Sequence, residues 1–330
     1  MINSKVFFLK DFSRLGQVTQ DLLAGRYAKE AEVVVKMHFG EPGNDLAFKP
    51  EDVKPVVEGL HSLGCQPLLL DSPVAYFSPR GTVVGYELVV KLKGFNKLAK
   101  CHISNDSIPV PTKDYTAEVI KELAEAKNVL VLTHVKGHGG TGFGGAIKNL
   151  GMGGVTKETK ILEHALCKPD VAATCVGCGT CSTVCPAGAI KIVNGKAEIN
   201  KKACWGCSVC EYVCPTQSLV PPKATLDDLL AQAAVAVISQ MPINTFYISI
   251  LKNIARDCDC SGNSGGRVLE DIGVLFSDNP VAIDKASLDL INEKAGKDLF
   301  KELTHKDPML HVNFTAEYLS RSSNYELVFV

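Results

Sequence analysis

Eight cysteines in one short stretch constrain this chain more than any other feature. Cys175, Cys178, Cys181 and Cys185 stand as C-x2-C-x2-C-x3-C, followed by Pro186. Cys204, Cys207, Cys210 and Cys214 repeat the spacing before Pro215, each position shifted by 29 residues. Three thiolates in a tight loop can each hold one iron of a cube, while the fourth cysteine of such a run ligates the other cluster. The spacing therefore predicts two [4Fe–4S] clusters with interleaved ligands. Cys175, Cys178, Cys181 and Cys214 would hold one, and Cys204, Cys207, Cys210 and Cys185 the other. Zinc sites use two separated C-x2-C pairs, a pattern these runs fit poorly. Interleaved ligation staples a module of about 50 residues that has little apolar core of its own.

The segment resembles a bacterial two-cluster ferredoxin. Its surroundings agree with a reducing compartment. The chain has 13 cysteines, an odd and clustered set that argues for metal ligation over disulfides. Met1–Lys10 carries no leader-like apolar run, and the longest apolar stretch, Leu229 to Ile238, is interrupted by Gln232. The formal net charge is −1 and the lysines and arginines form no stripe, so nucleic acid and membrane are not expected partners. The expectation is a cytoplasmic protein.

Outside residues 171–222 the chain alternates between strand and helix patterns. Glu32–His38, Leu68–Asp71, Lys100–Ser104, Asn128–Val135, Thr245–Leu251, Ile272–Phe276 and Tyr325–Val330 read as strands. Val18–Tyr27, Val53–Leu63, Gly85–Lys93, Ala117–Ala126, Thr156–Leu166, Thr225–Ile238 and Asp278–Asn292 read as helices. This predicts an α/β host with a mostly parallel sheet, made of residues 1–170 and 223–330, into which an α+β two-[4Fe–4S] module at 171–222 is inserted.

The strand Asn128–Val135 runs into a glycine-rich turn, Lys136 to Gly154. Glycine at this density lets backbone approach a ligand, and a helix opening near Gly144 would aim free N–H groups at an anion. Gly140, Gly142, Gly144, Gly145 and Asn149 are the candidate cofactor-binding residues. Gly140, Gly142 and Gly145 match G-x-G-x-x-G, but the helical pattern that follows lacks the second strand of a dinucleotide fold. Lys148 lies between Ile147 and Asn149, so there is no Walker A loop. His134, His138, Lys148 and His164 cluster around this turn. A lysine in a partly desolvated pocket loses basicity and can act as a base or hold a carboxylate.

A second constellation is Cys258-Asp259-Cys260, in a polar loop after Arg256. Two thiols flanking a carboxylate can bind a metal, form a redox couple or attack a substrate, and Arg256 is placed to lower a thiol pKa. Cys65, Cys101 and Cys167 are isolated and read as core residues.

The segments HFGEPGN (38–44), HVKGHGGTGFGGAIKNLGMG (134–153), DCDC (257–260) and DIGVLFSDNPVAIDKA (271–286) resemble the domain of unknown function 362 family, whose members often carry a ferredoxin module. More distantly, His138, Lys148 after the G-F-G-G-A turn, and His164 are similar to the nickel-pincer lactate racemase family. That likeness implies an acid/base role for His138, a cofactor anchor at Lys148 and a metal ligand at His164, with His38 and His102 as candidates for a further histidine. The two cluster motifs are a departure from that family.

The expected function is an iron–sulfur oxidoreductase. It would pass electrons between two clusters and a small, anionic substrate or cofactor, with His138, Lys148, Cys258 and Cys260 as catalytic residues. A redox partner protein, ferredoxin or reductase, is expected alongside the small ligand. An additional metal or flavin stays open, as do an electron carrier without chemistry of its own and a metal or cofactor maturation protein.

Overall fold

A computed structural model describes residues 4–330; the first three residues of the Met1–Lys10 stretch lie outside it. Eight strands form one sheet, in the spatial order Tyr325–Phe329, Ser4–Leu9, Gly273–Ser277, Phe246–Leu251, Val129–His134, Glu32–Lys36, Gln66–Asp71, Lys100–Ile103. Five of the seven pairings are parallel, and the two made by Gly273–Ser277 are antiparallel. Helices cover both faces, which is why the central strands are unbroken apolar runs. Alternate residues serve opposite cores. Val34, Leu68, Leu70, Val129 and Val131 face one, with helices Ala146–Gly153, Leu226–Gln240 and Pro280–Ala295. Val33, Val35, Leu69, Leu130 and Leu132 face the other, with Leu15–Leu23, Pro50–Ser62 and Val83–Lys93. Among the described residues no helix is long and apolar enough to cross a membrane.

Two readings need correction. Ala117–Ala126 is not one helix. Thr116–Ile120 is a strand paired antiparallel with Ser107–Pro111, and only Lys121–Ala124 is helical. Burial of Ala117, Val119 and Ile120, together with a bridge from Val119 to Val155, overrides the local helical propensity. The glycine-rich turn also contains structure, a small hairpin of Lys136–His138 and Gly142–Gly144, before its helix opens at Ala146.

Residues 170–220 stand apart from the large sheet. Asp170–Val171 pairs with Leu219–Val220, Ile190–Val193 pairs with Lys196–Ile199, and the short helices are Thr180–Thr183 and Val209–Tyr212. A small cluster of Cys181, Ile190, Ala197, Cys210 and Leu219 is buried in this lobe, with Cys175, Cys185 and Cys214 against it.

Candidate functional site

In an open parallel sheet, ligand sites gather beyond the carboxyl ends of the strands. Here Lys36, Asp71 and His134 are the last residues of their strands, and Lys252 follows the end of a fourth. The loops leaving those ends carry His38–Glu41, the glycine-rich hairpin and the Cys258–Cys260 loop.

Beneath these loops lies a buried charged web. Lys36 Nζ donates to Asp71 Oδ1 at 2.9 Å and to Asn149 Oδ1 at 2.7 Å. Tyr86 donates to the other Asp71 oxygen at 2.5 Å, and the Arg80 guanidinium lies over the Tyr86 ring. Arg80 also pairs with Glu41 at 2.9 Å and contacts His38 Nε2 at 2.6 Å. A guanidinium only donates, and burial with Arg80 beside it holds the His38 pKa well below the usual range, so His38 is neutral. Burial opposes ionisation of Asp71, but the cations Lys36, Arg80 and Lys160 outweigh it and keep the carboxyl ionised. Lys93 reaches the carbonyls of Phe39, Gly40 and Glu41, and Lys160 those of Ser72 and Pro73. Lys36, Arg80, Lys93, Lys136, Lys148 and Lys160 thus share this region with the carboxylates of Glu41, Asp71 and Asp259. Cations predominate.

Asp259 explains the geometry of its two flanking cysteines. Its carboxylate turns inward, with His134 Nδ1 at 2.9 Å, Lys136 Nζ at 2.7 Å and the donated Phe48 N–H at 2.9 Å. Burial resists its ionisation, but His134 and Lys136 hold its pKa far below the carboxylate range. With Asp259 anchored, Cys258 and Cys260 both reach the pocket, and their sulfurs are joined as a disulfide with the Cα atoms 5.3 Å apart. The expected carboxylate between two thiols is therefore absent from the pocket face. The cation at the sulfurs is Lys148, not Arg256: its Nζ lies 3.6 Å from Cys258 Sγ and 3.9 Å from Cys260 Sγ. Burial lowers the Lys148 pKa to about 8; Lys36 and Arg80 add to the shift, while Asp259 and Asp71 oppose it.

A ring nitrogen of His138 and the two sulfurs lie within 4.8 Å of one another, a group able in principle to hold a metal ion. The backbone N–H groups of Gly140 and Thr141 both donate to His138 Nδ1 at 3.1 Å. Burial, with Lys148 next, pushes the His138 pKa well below its usual value. The neutral ring therefore keeps its proton on Nε2. His138 is a hydrogen-bond donor in this arrangement, and neither nitrogen offers a free lone pair.

Several expected site residues have other duties. The N-terminus of helix Ala146–Gly153 is not open to an external anion, because Asp284 accepts from the N–H groups of Ala146 and Ile147 at 2.7 and 2.9 Å. Gly145 packs on that carboxylate and on Phe143, leaving no space for a side chain. Gly142, at φ +75°, packs on Pro308. Gly144 does face the site: a β-carbon there would lie 3.3 Å from the Lys148 side chain and 3.8 Å from Cys258. Asn149 is engaged at both ends, by Lys36 and by Leu132 O with Thr133 Oγ1. His164 is not beside His138 and the sulfurs as a ligand. It meets the Trp205 carbonyl at 2.8 Å, in the loop between Cys204 and Cys207. His102 pairs with Glu122 at the sheet edge. Cys65 and Cys167 are buried and Cys101 is half-buried.

The cysteine lobe abuts this site. Two hollows lie in it, one lined by Cys175, Cys178, Cys181 and Cys214, the other by Cys185, Cys204, Cys207 and Cys210. Backbone N–H groups point at four of the sulfurs: Ala197 to Cys175, Ala189 to Cys185, Gly206 to Cys204 and Ser218 to Cys214, at 3.3–3.4 Å. Lys306, fully buried and paired with Asp227, donates to Gly140 O at 2.7 Å and to Cys207 O at 2.9 Å. One ammonium thus ties the glycine-rich hairpin to the second hollow. Nothing in the sequence flags Lys306, which stands in a polar stretch that reads as surface. Lys36 and Asp71, by contrast, are charges closing apolar strands, a signal readable for each residue alone though not for their meeting.

Among curated proteins none matches the chain. A structural-genomics protein from Thermotoga maritima aligns at 9% identity and TM-score 0.49, covering 87% of this chain and 59% of its own. The lactate racemase apoprotein from Thermoanaerobacterium thermosaccharolyticum aligns at 11% identity and TM-score 0.43, covering 89% of this chain and 58% of its own. The chain thus spans less than two thirds of either structure. The family model described as domain of unknown function (DUF362) matches residues 33–289, more than three quarters of the sequence, and the protein belongs to that family.

Proposed function

We propose that the protein is an iron–sulfur oxidoreductase, in which residues 171–222 form a two-cluster ferredoxin-like module serving the site of His138, Lys148, Cys258 and Cys260. The observation that carries this reading is the grouping of the cysteines. Each hollow of the lobe is lined by four of them, in the interleaved sets that the repeat calls for. The donor set fits [4Fe–4S] cubes: four thiols to each, apolar neighbours, and backbone N–H groups aimed at sulfur, the hydrogen bonding that tunes such clusters. When bound, the clusters supply one-electron transfer. The chain's own residues do the rest. Lys306 fixes the lobe against the hairpin, Lys148 presents a cation, His138 presents an N–H, and the surplus of buried cations favours a small anionic substrate. A reduced cytosol and a protein electron donor or acceptor accompany this reading.

Anaerobic purification with iron, sulfide and visible-spectrum analysis tests it. About eight irons and eight sulfides per chain are expected. Lys148→Ala and Cys258→Ala should then lose turnover with the cluster spectrum intact. Colourless, iron-poor protein would overturn the proposal, and variants that keep full electron transfer would reduce it to a carrier.

A further inference from the structure

The site holds a pair of cysteines joined through their sulfurs. We propose that Cys258 and Cys260 form a dithiol–disulfide couple, which takes an electron pair from the cysteine lobe and passes it to a disulfide-bearing substrate. This rests on the iron–sulfur reading above.

Four observations carry it. The first is the pairing itself. The two cysteines are joined as a disulfide at a Cα separation within the range such bonds require, and inward anchoring of Asp259 keeps them together. The second is charge. Lys148 reaches both sulfurs, and the Cys260 N–H points at Cys258 Sγ at 3.3 Å. A cation and an N–H at sulfur stabilise thiolate, the reactive form in thiol–disulfide exchange. The third is the histidine. His138 Nδ1 is filled by two N–H donors, so the ring carries its proton on Nε2 and, though near the sulfurs, makes a poor third metal ligand. The fourth is position. Lys306 binds the carbonyls of Cys207 and Gly140, and the Gly140 N–H binds His138, so the couple sits across a short, buried, hydrogen-bonded path from one set of cluster cysteines.

The balance is simple. Two electrons, one from each iron–sulfur centre, break the S–S bond. One sulfur takes a proton from solvent, and the other remains thiolate beside Lys148. Cys260, the more exposed of the two and also within reach of Lys148, is the sulfur that keeps the negative charge; it attacks the substrate disulfide as thiolate and releases one thiolate. Cys258 closes on Cys260 and releases the second thiol, restoring the starting disulfide. Two one-electron centres hold between them the pair of electrons that one disulfide needs.

The test counts thiols and electrons on the intact, cluster-loaded chain. Oxidised protein is alkylated under denaturing conditions and the peptide bearing Cys258 and Cys260 is weighed. The measurement is repeated after photoreduction has bleached the cluster absorbance. Two alkyl groups should appear on that peptide only after reduction, and a reductive titration should take about four electrons per chain, against about two in Cys258→Ser and in Cys260→Ser. Bleaching with no change in the peptide, or a titration that takes two electrons in the unsubstituted chain, would overturn the couple while leaving the clusters standing. Stoichiometric zinc held by these cysteines in both redox states would overturn it too. Absence of any cluster absorbance would instead strike the reading on which it rests. The two serine variants keep the test falsifiable should one fail to fold.

Discussion

The α/β host and the cysteine lobe solve the problem of burial in opposite ways. The host has two extensive apolar cores, one on each face of its sheet, and uses that stability to hold a web of buried charges at one end of the strands. The lobe has one small buried apolar cluster of five residues, two of them cysteines. Buried apolar area stabilises folding by roughly 25 cal/mol per Å2, and a unit with so little of it needs a covalent or metal staple. The difference teaches where each region is vulnerable. The host fails if a buried charge loses its partner; on the iron–sulfur reading proposed above, the lobe fails if its thiols lose their clusters.

The largest expected effect follows directly. Anaerobic removal of iron should abolish amide-exchange protection across residues 175–215 while leaving the host strands Val33–Lys36 and Val129–His134 protected. Equal protection of the lobe with and without iron would erase the contrast and show that its small core suffices.

Next comes the charged web. Asp71→Ala leaves Lys36 and Arg80 short of a buried carboxylate and should cost about 3–5 kcal/mol in chemical denaturation. Lys54→Ala, which breaks the exposed Lys54–Glu58 pair, should stay within about 0.5 kcal/mol. If the two variants are alike, the web is not what the host stabilises.

A smaller effect is expected at the hairpin. Gly137 lies so close to the Arg256 carbonyl that a β-carbon would run into it, and its N–H donates to Ala255 O at 3.0 Å. Gly137→Ala should cost about 1–3 kcal/mol through overpacking. It should also displace the loop that carries Cys258, read as faster alkylation of that thiol in reduced protein. Unchanged reactivity would mean that the loop is positioned by Asp259 alone.

The same contrast governs what could be read from sequence. The grouping of the cysteines into two interleaved sets was legible because the repeat is local, eight residues on one spacing. The host strands were legible because burial on both faces writes continuous apolar runs, as in Val129–His134. The gathering of His138 and Lys148 was legible because a glycine-rich stretch announces close backbone approach. The web was not, because Lys36, Asp71, Arg80 and Tyr86 belong to four separate segments and meet only when the parallel strands align. Two anions went unplaced for a related reason. Asp284 carried no signal of its own, and Asp259 read as a carboxylate standing between two thiols in the site. Folding sends the first to the helix Ala146–Gly153 and the second to His134 and Lys136, so neither faces the pocket.

The smallest effect separates the two regions by pH. Lys148 has its pKa lowered from 10.5 to about 8, chiefly by burial. Below pH 8 it is an ammonium that can stabilise a thiolate at the cysteine pair; above, it is an amine that cannot. Reduction of the cysteine pair should therefore slow as pH rises through about 8, by up to about tenfold per pH unit. Lys148 should act on stability with the opposite sign. Between about pH 8 and 10.5 the unfolded chain binds this proton and the folded chain does not, so the contribution of Lys148 to stability rises with pH across that window. Lys148→Arg keeps a cation throughout and should flatten both trends, whereas cluster reduction in the lobe, which has no contact with this amine, should follow the same pH course in both proteins. Stopped-flow bleaching and thiol appearance, measured on the same samples, read the two regions separately. A common shift of both signals in the arginine variant would mean that the lobe and the pocket titrate as one site.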